Sequence, residues 1–182
     1  MVTLYERIAL ERTRLRQVRQ LLTAAAEKGA QGDIAYVEFY IAIAEYFDAA
    51  MERLHLQDIR MGKILRDKVD MEDPSIQQAL RELDERLAGN QKCLKKMLAA
   101  RESLRVNAVE ALAEFESAGG AYAAYIVANM GHHPGTADLA VKIFSTDDWE
   151  FMADVSEEDQ QREQRLFEHV FALLPMGLEL PE

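Results

Sequence analysis

The 182-residue chain has one cysteine, four prolines and nine glycines, and it has no long apolar run. The single cysteine, Cys93, cannot form a disulfide within the chain, which favours a reducing compartment. No apolar stretch approaches the ~20 residues that a helix needs to cross a bilayer. The N-terminal residues alternate charged and apolar side chains, unlike a signal peptide. We therefore expect a cytoplasmic protein with no membrane contact.

Basic residues are also scarce, since 21 Lys and Arg stand against 32 Asp and Glu, for a formal net charge of -11 at pH 7. Binding to nucleic acid depends on clustered Lys and Arg that displace counterions from phosphates. The net charge therefore argues against a nucleic-acid partner and against an anionic membrane surface. It suits solubility, or docking onto a basic protein partner.

Residues with high helix propensity dominate the chain, and the apolar residues recur at helical spacing. Apolar residues at alternating steps of four and three predict a first helix that ends near Gly29. Gly32 and Asp33 then form a break and a new helix start. The same spacing continues to about Val69, so the second helix is predicted to be long and central in a bundle.

A third helix is predicted to begin at Asp73 and Pro74, where a capping side chain precedes a proline at the first helical position. Its heptad-like stripe passes through Gly89 without a shift, which favours a long antiparallel hairpin with the second helix. Gly119 and Gly120 are predicted to interrupt it. A short apolar helix is expected after them, over 121–130.

From Gly131 the sequence is rich in Pro, Gly, Ser and Asp, which are common at the starts and ends of short helices. They predict two small helices and then a final amphipathic helix capped by Ser156. With no strand-like alternation, the fold is predicted to be all-α and a single domain over 1–182. We expect a long-helix bundle over 3–130, a short-helix C-terminal subdomain over 131–175 and a tail over 176–182.

One stretch, AEYFDAAMERLHLQD over 44–58, places four acids and a histidine within the predicted central helix. Glu52 and His55 form an E-x-x-H pair, a spacing that holds metal in carboxylate-bridged di-iron and di-manganese bundles. An alternative function is therefore a ferritin-like or hemerythrin-like bundle that uses iron or manganese for redox chemistry. The candidate metal ligands are Glu11, Asp48, Glu52, His55, His132 and His133.

The number of E-x-x-H motifs and the geometry of the hairpin both favour a structural role for the same acids. A bundle of this kind needs a second E-x-x-H, and the chain has none. In an antiparallel hairpin, Glu52 falls level with about Lys92, and Asp48 with about Lys96, while Arg101 lies in the stripe of the third helix. The acids are therefore predicted to pair with these cations and to set the register of the hairpin.

No phosphate-binding loop, nucleophile elbow or complete catalytic set is present in the sequence. The favoured hypothesis is a non-enzymatic helical module, such as an adaptor, regulator, chaperone-like or immunity-type partner, without a cofactor. It is expected to form a homodimer and to bind another protein through an acidic and aromatic helical surface. Five tyrosines are expected to lie mostly in the core or at its edge, and an exposed subset of them would supply the aromatic part of that surface. They are Tyr36, Tyr40, Tyr46, Tyr122 and Tyr125.

Overall fold

A computed structural model of the chain describes residues 4–129 and 134–180. These ranges contain helices and no strand, in agreement with the all-α prediction. The helices are α1 (Leu4–Lys28), α2 (Ala35–Lys68), α3 (Pro74–Asn107), α4 (Leu112–Asn129), α5 (Pro134–Ile143), α6 (Thr146–Met152) and α7 (Glu157–Ala172). No helix within the described ranges is long and apolar enough to span a membrane.

The predicted α2–α3 hairpin is confirmed. Glu45 pairs with Arg105 at 2.7 Å and Arg66 with Asp84 at 2.8 Å, so the two helices run in opposite directions. The turn between them ends at Asp73, whose Oδ1 accepts a hydrogen bond from the Ser75 N–H at 2.8 Å. This cap satisfies a helix N-terminal donor just before Pro74, as the sequence predicted.

Helix α4 returns antiparallel to both α3 and α1, which completes a four-helix bundle. The Tyr125 hydroxyl donates to the Arg86 carbonyl at 2.9 Å, near the C-terminal end of α4 and the N-terminal part of α3. At the other end of α4, the Glu116 carboxylate accepts from the Ala30 N–H at 2.6 Å. Neighbouring helices of the bundle are therefore α1 with α2, α2 with α3, α3 with α4, and α4 with α1.

The break between α3 and α4 lies at Ala108–Ala111, a turn of 3-10 helix, and not at Gly119 and Gly120 as the sequence predicted. Helix α4 passes through both glycines without interruption. A Cβ at Gly119 would lie 3.0 Å from Leu22 Cδ1 of α1. The small residues therefore serve close packing of α4 on α1, an effect that a propensity-based boundary does not anticipate.

Gly89 does not split α3, and its place there has a packing cause. A Cβ built on it would lie 2.3 Å from the Tyr125 hydroxyl oxygen. The glycine therefore leaves room for Tyr125 to lie across α3. The local cost of glycine in a helix, about 1 kcal/mol relative to alanine, is offset by this contact between α3 and α4.

The main core is aromatic and lies between α2, α4 and the inner faces of α1 and α7. Tyr40 stacks on Phe115 with ring centroids 4.8 Å apart, and Phe47 meets Tyr122 edge-on at 5.5 Å. Four of the five tyrosines are buried, namely Tyr36, Tyr40, Tyr46 and Tyr122. They belong to the core and do not form a binding surface.

The C-terminal helices cover the part of α2 that extends beyond α1 and α4. Trp149 of α6 packs with Phe144 at 5.1 Å, and both lie against small apolar clusters around Ile64 and Leu65 of α2. Helix α7, capped by Ser156 as predicted, packs along α2 and touches α1. It is therefore the element that closes the outer side of the α1–α2 pair.

Candidate functional site

A buried ion pair with three members joins α1, α2 and α7. Arg53 of α2 places Nε 2.7 Å and Nη2 3.0 Å from the two carboxylate oxygens of Glu163 on α7. Its Nη1 lies 3.0 Å from Glu11 Oε2 of α1. Glu11, Arg53 and Glu163 are only 8%, 8% and 5% exposed. Two carboxylates therefore share one guanidinium in the interior, and we refer to the three residues as the Arg53 cluster.

Burial dominates the electrostatics of the Arg53 cluster. It raises the pKa of Glu11, although the positive charge of Arg53 acts in the opposite direction. Burial lowers the pKa of Arg53, but the hydrogen bonds and charge of Glu163, together with Glu11, outweigh it and the net pKa is raised. Arg53 therefore stays charged, while burial disfavours the ionised form of Glu11.

Tyr46 closes the inner side of the cluster. Its side chain is fully buried, and its hydroxyl has no hydrogen-bond partner within the described ranges. Burial raises its pKa, and the negative charge of Glu163 raises it further. Its ring packs against Phe167 of α7 at a centroid distance of 6.0 Å. The cluster thus lies between an aromatic core and the outer surface of α7.

The two carboxylates of the Arg53 cluster, Glu11 and Glu163, line a cleft of about 630 Å³, which we call the α1–α7 cleft. One wall comes from the first part of α1, with Leu4 and Leu10. The other comes from α6 and the start of α7, with Glu150, Asp154 and Glu157 at the rim. Leu10 is 47% exposed, so an apolar surface and carboxylates lie together at the opening.

The cations of the α1–α7 cleft are already engaged within the chain. The Arg7 guanidinium donates to the Ala153 carbonyl, and Arg14 lies 5.5 Å from the centre of the Phe167 ring. By contrast, Glu150 and Asp154 have no side-chain partner among the described residues. The unpaired charges of the cleft are therefore negative.

The acids of the 44–58 stretch meet α3, but further along it than the sequence predicted. Asp48 lies 3.6 Å from Arg101, which the prediction had named as a partner. Within the described part of the chain, Glu52 is exposed and neither Lys92 nor Lys96 forms an ion pair with it or with Asp48. The observed pairs between the two helices, Glu45 with Arg105 and Arg66 with Asp84, show the same shift of the level positions on α3 towards its C-terminus.

Three of the candidate metal ligands, Glu11, Asp48 and His55, have other partners in the structure. Glu11 faces Arg53, and His55 Nε2 lies 2.7 Å from Gln91 Nε2 of α3. Among the residues that the structure describes, no three His, Cys, Asp or Glu side chains are grouped so as to hold a metal ion. His132 and His133 lie outside the described residues, so the metal site stays a prediction.

The sequence analysis did not identify Arg53 and Glu163 as members of a buried ion pair. A signal for Glu163 was present, because it precedes Leu166, Phe167 and Val170 by three, four and seven positions. That spacing puts it on the apolar face of α7. For Arg53 the signal was one-sided. Tyr46 and Ala50 precede it by seven and three positions, but Gln57 and Arg60, four and seven positions after it, are polar.

Asp58, the last acid of the stretch, is half-buried on α2. Burial raises its pKa from the ordinary value of 3.8 to about 6, although the charges of Arg86 on α3 and Arg12 on α1 lower it. The ionised carboxylate is therefore unfavourable in the folded chain near neutral pH.

Comparisons with protein families, with curated proteins and with solved structures found no match to this chain. A proposal for its function therefore depends on the geometry of the α1–α7 cleft and on charge.

Replacing Arg53 by methionine should be strongly destabilising, because it leaves two carboxylates buried without a cation. We expect the Arg53→Met variant to lose about 3–5 kcal/mol of the free energy of unfolding, measured by urea denaturation near pH 7. Adding Glu11→Leu and Glu163→Leu to it should restore most of that loss. Arg101→Met, which removes a partly exposed pair, should cost less than about 1 kcal/mol. Equal losses for the two single variants would contradict the assignment.

Removing the charge of Asp58 should stabilise the protein. Because its folded pKa lies above the unfolded value, its protonation favours the fold, and that contribution is lost as pH rises from about 4 through about 6. The Asp58→Asn variant should gain about 1–3 kcal/mol in the free energy of unfolding near pH 7. Its gain near pH 4 should be close to zero. A gain that does not change between these pH values would contradict the assignment.

Proposed function

We propose that this chain is a non-enzymatic helical module that binds another protein, and that the α1–α7 cleft receives a basic segment of that partner. The observation that carries the proposal is the arrangement of charge in the cleft. Its own arginines are engaged within the chain, while rim carboxylates at Glu150 and Asp154 have no intramolecular partner among the described residues. A cation from outside would complete this arrangement.

The shape of the cleft suits the side chain of an arginine or a lysine. Both carry an aliphatic stem and a charged head, and the stem packs well on apolar surface. Leu4 and Leu10 offer such a surface, and the carboxylates lie beside it. The head of an inserted side chain would approach Glu11, whose Oε1 lies 3.8 Å from Arg7 Nε. A further cation there would favour the ionised form of Glu11.

The charge of the whole chain supports the same kind of partner. With a formal net charge of -11 at pH 7, the chain attracts basic proteins at long range and repels acidic ones. The predicted homodimer is a separate proposal, and the proposal for the cleft does not depend on it. The apolar stripes of α2 and α3 that suggested it are largely buried within the bundle.

The test uses hexa-arginine, hexalysine and hexaglutamate peptides, with binding followed by fluorescence anisotropy at about 150 mM NaCl, where long-range attraction is screened. The basic peptides should bind and hexaglutamate should not. The Glu150→Lys/Glu157→Lys variant should weaken binding by about tenfold or more, because it reverses two rim charges.

The matched control is Glu72→Lys/Glu85→Lys, which changes the net charge equally at two exposed acids away from the cleft. It should weaken binding by less than about threefold at this ionic strength. Both variants should keep the helical circular dichroism of the parent chain. Equal weakening by the two pairs would show attraction by net charge alone and would overturn the cleft assignment.

A further inference from the structure

The solvent-exposed side of α2 carries a regular row of four residues, Glu52, Leu56, Ile59 and Lys63. They follow one another at steps of four, three and four residues. This is the spacing of the contact positions in a coiled coil, so the four side chains lie along one side of the helix. All four residues are exposed. We call them the outer α2 stripe.

The middle of the outer α2 stripe is apolar. Leu56 and Ile59 are 48% and 47% exposed, although both are large aliphatic side chains. Phe151 of α6 is 53% exposed, and the Arg60 guanidinium lies 5.6 Å from the centre of its ring. Because Arg60 follows Leu56 by one turn, Phe151 extends the apolar surface on the side of α6. Three large apolar side chains therefore meet solvent in one region.

The two ends of the outer α2 stripe carry opposite charges. Neither Glu52 nor Lys63 forms an ion pair or a side-chain hydrogen bond among the described residues, whereas Asp48 and Arg66, one turn away on the same helix, both pair with α3. The stripe is therefore neutral as a whole, although the chain has a formal net charge of -11. Two copies of so acidic a chain repel each other wherever carboxylates face carboxylates, and a neutral surface avoids that repulsion.

The order of the four residues is self-complementary in an antiparallel pair. Glu52 and Lys63 are equally far from the point midway between two successive residues, 57 and 58, and Leu56 and Ile59 are centred on the same point. If a second α2 packs on the first in the opposite direction about that point, Glu52 of each copy is level with Lys63 of the other. Leu56 of each copy then lies opposite Ile59 of the other. An interface with two-fold symmetry requires this reciprocal matching.

Other arrangements suit the outer α2 stripe less well. A parallel pair places Glu52 against Glu52 and Lys63 against Lys63, and like charges at both ends are unfavourable. A strongly basic partner gains no net attraction from a stripe whose charges cancel. The contact from Glu52 to Lys63 spans eleven positions, or ~16 Å at 1.5 Å per residue. Such a contact buries a small area, so the association is expected to be weak and reversible.

We propose that the chain associates with a second copy of itself through the outer α2 stripe, as an antiparallel pair with two-fold symmetry. Leu56 and Ile59 form the centre of the contact, and Glu52 pairs with Lys63 of the other copy at each end. The stripe shares no residue with the lining of the α1–α7 cleft. The inference therefore goes beyond the function proposed for the cleft and does not depend on it.

The test is sedimentation equilibrium of the whole chain at about 150 mM NaCl, where repulsion by net charge is screened. The parent chain should show a monomer–dimer equilibrium at protein concentrations up to about 1 mM. Glu52→Lys and Lys63→Glu should each raise the dissociation constant by about tenfold or more, because each places like charges opposite one another at both ends. The double variant Glu52→Lys/Lys63→Glu restores opposite charges at both ends and should return the constant to within about threefold of the parent value.

The apolar centre is tested by Leu56→Asp, which places two carboxylates in the contact and should also raise the dissociation constant by about tenfold or more. The matched controls are Val141→Asp, at another aliphatic side chain that is 71% exposed, and Glu72→Lys, at another exposed acid. Each control should change the constant by less than about threefold at this ionic strength. All variants should keep the helical circular dichroism of the parent chain, since every changed residue is exposed.

Three outcomes would overturn the proposal. The first is a parent chain that stays monomeric over the whole concentration range. The second is a dimer that the controls weaken as much as the stripe variants do, because its contact then lies on another face. The third is a dimer that Leu56→Asp weakens but that the double charge reversal does not restore, because Glu52 then does not meet Lys63. No peptide enters these measurements, so failure of the hexa-arginine experiment leaves their result unchanged.

Discussion

The bidentate contact between Arg53 and Glu163 is the interaction on which the C-terminal part of this structure depends. It places a charge pair between α2 and α7 in a position that is almost entirely removed from water. Glu11 adds α1 to the same contact. Helix α7 otherwise rests on aromatic packing, which tolerates sliding and rotation more readily than a two-point hydrogen-bonded ion pair does. The Arg53 cluster therefore determines the register of α7, and with it the width of the α1–α7 cleft.

Such a cluster adds little net stability but penalises every other arrangement. Burying charges costs several kcal/mol, and their attraction roughly offsets that cost, so an apolar replacement is often as stable. Removing one partner alone is far more costly, because an uncompensated charge remains in the interior. Any displacement of α7 would separate Glu163 from Arg53 with the same penalty. The Arg53 cluster therefore suits a helix, α7, whose position shapes the α1–α7 cleft.

The two proposed surfaces follow from a common property of the bundle. Most of its aromatic residues are buried in the core, as the stacking of Tyr40 on Phe115 illustrates, so the exterior carries mainly charged and scattered aliphatic side chains. In the α1–α7 cleft, the exposed side chain of Leu10 lies beside carboxylates, a surface that we propose receives a ligand that is both basic and apolar.

Most of the fold could be predicted from the sequence, because its helices are long, periodic and capped by recognisable residues such as Asp73 and Ser156. Gly119 was misread because a glycine that permits close packing looks the same in sequence as one that ends a helix. In the site, Glu11 was identified by its place in an apolar stripe, although its partner is a guanidinium and not a metal in the described structure. Arg53 and the cleft itself could not be predicted, since both depend on where α7 returns to the bundle.

Hydrogen–deuterium exchange on the Glu163→Gln variant tests most directly whether this contact positions α7. The substitution keeps the shape of the side chain and removes its charge. The account predicts that amide exchange in α7 becomes faster by about tenfold or more, while exchange in the cores of α3 and α4 is unchanged. Unchanged exchange in α7, or the same acceleration in all helices, would contradict it.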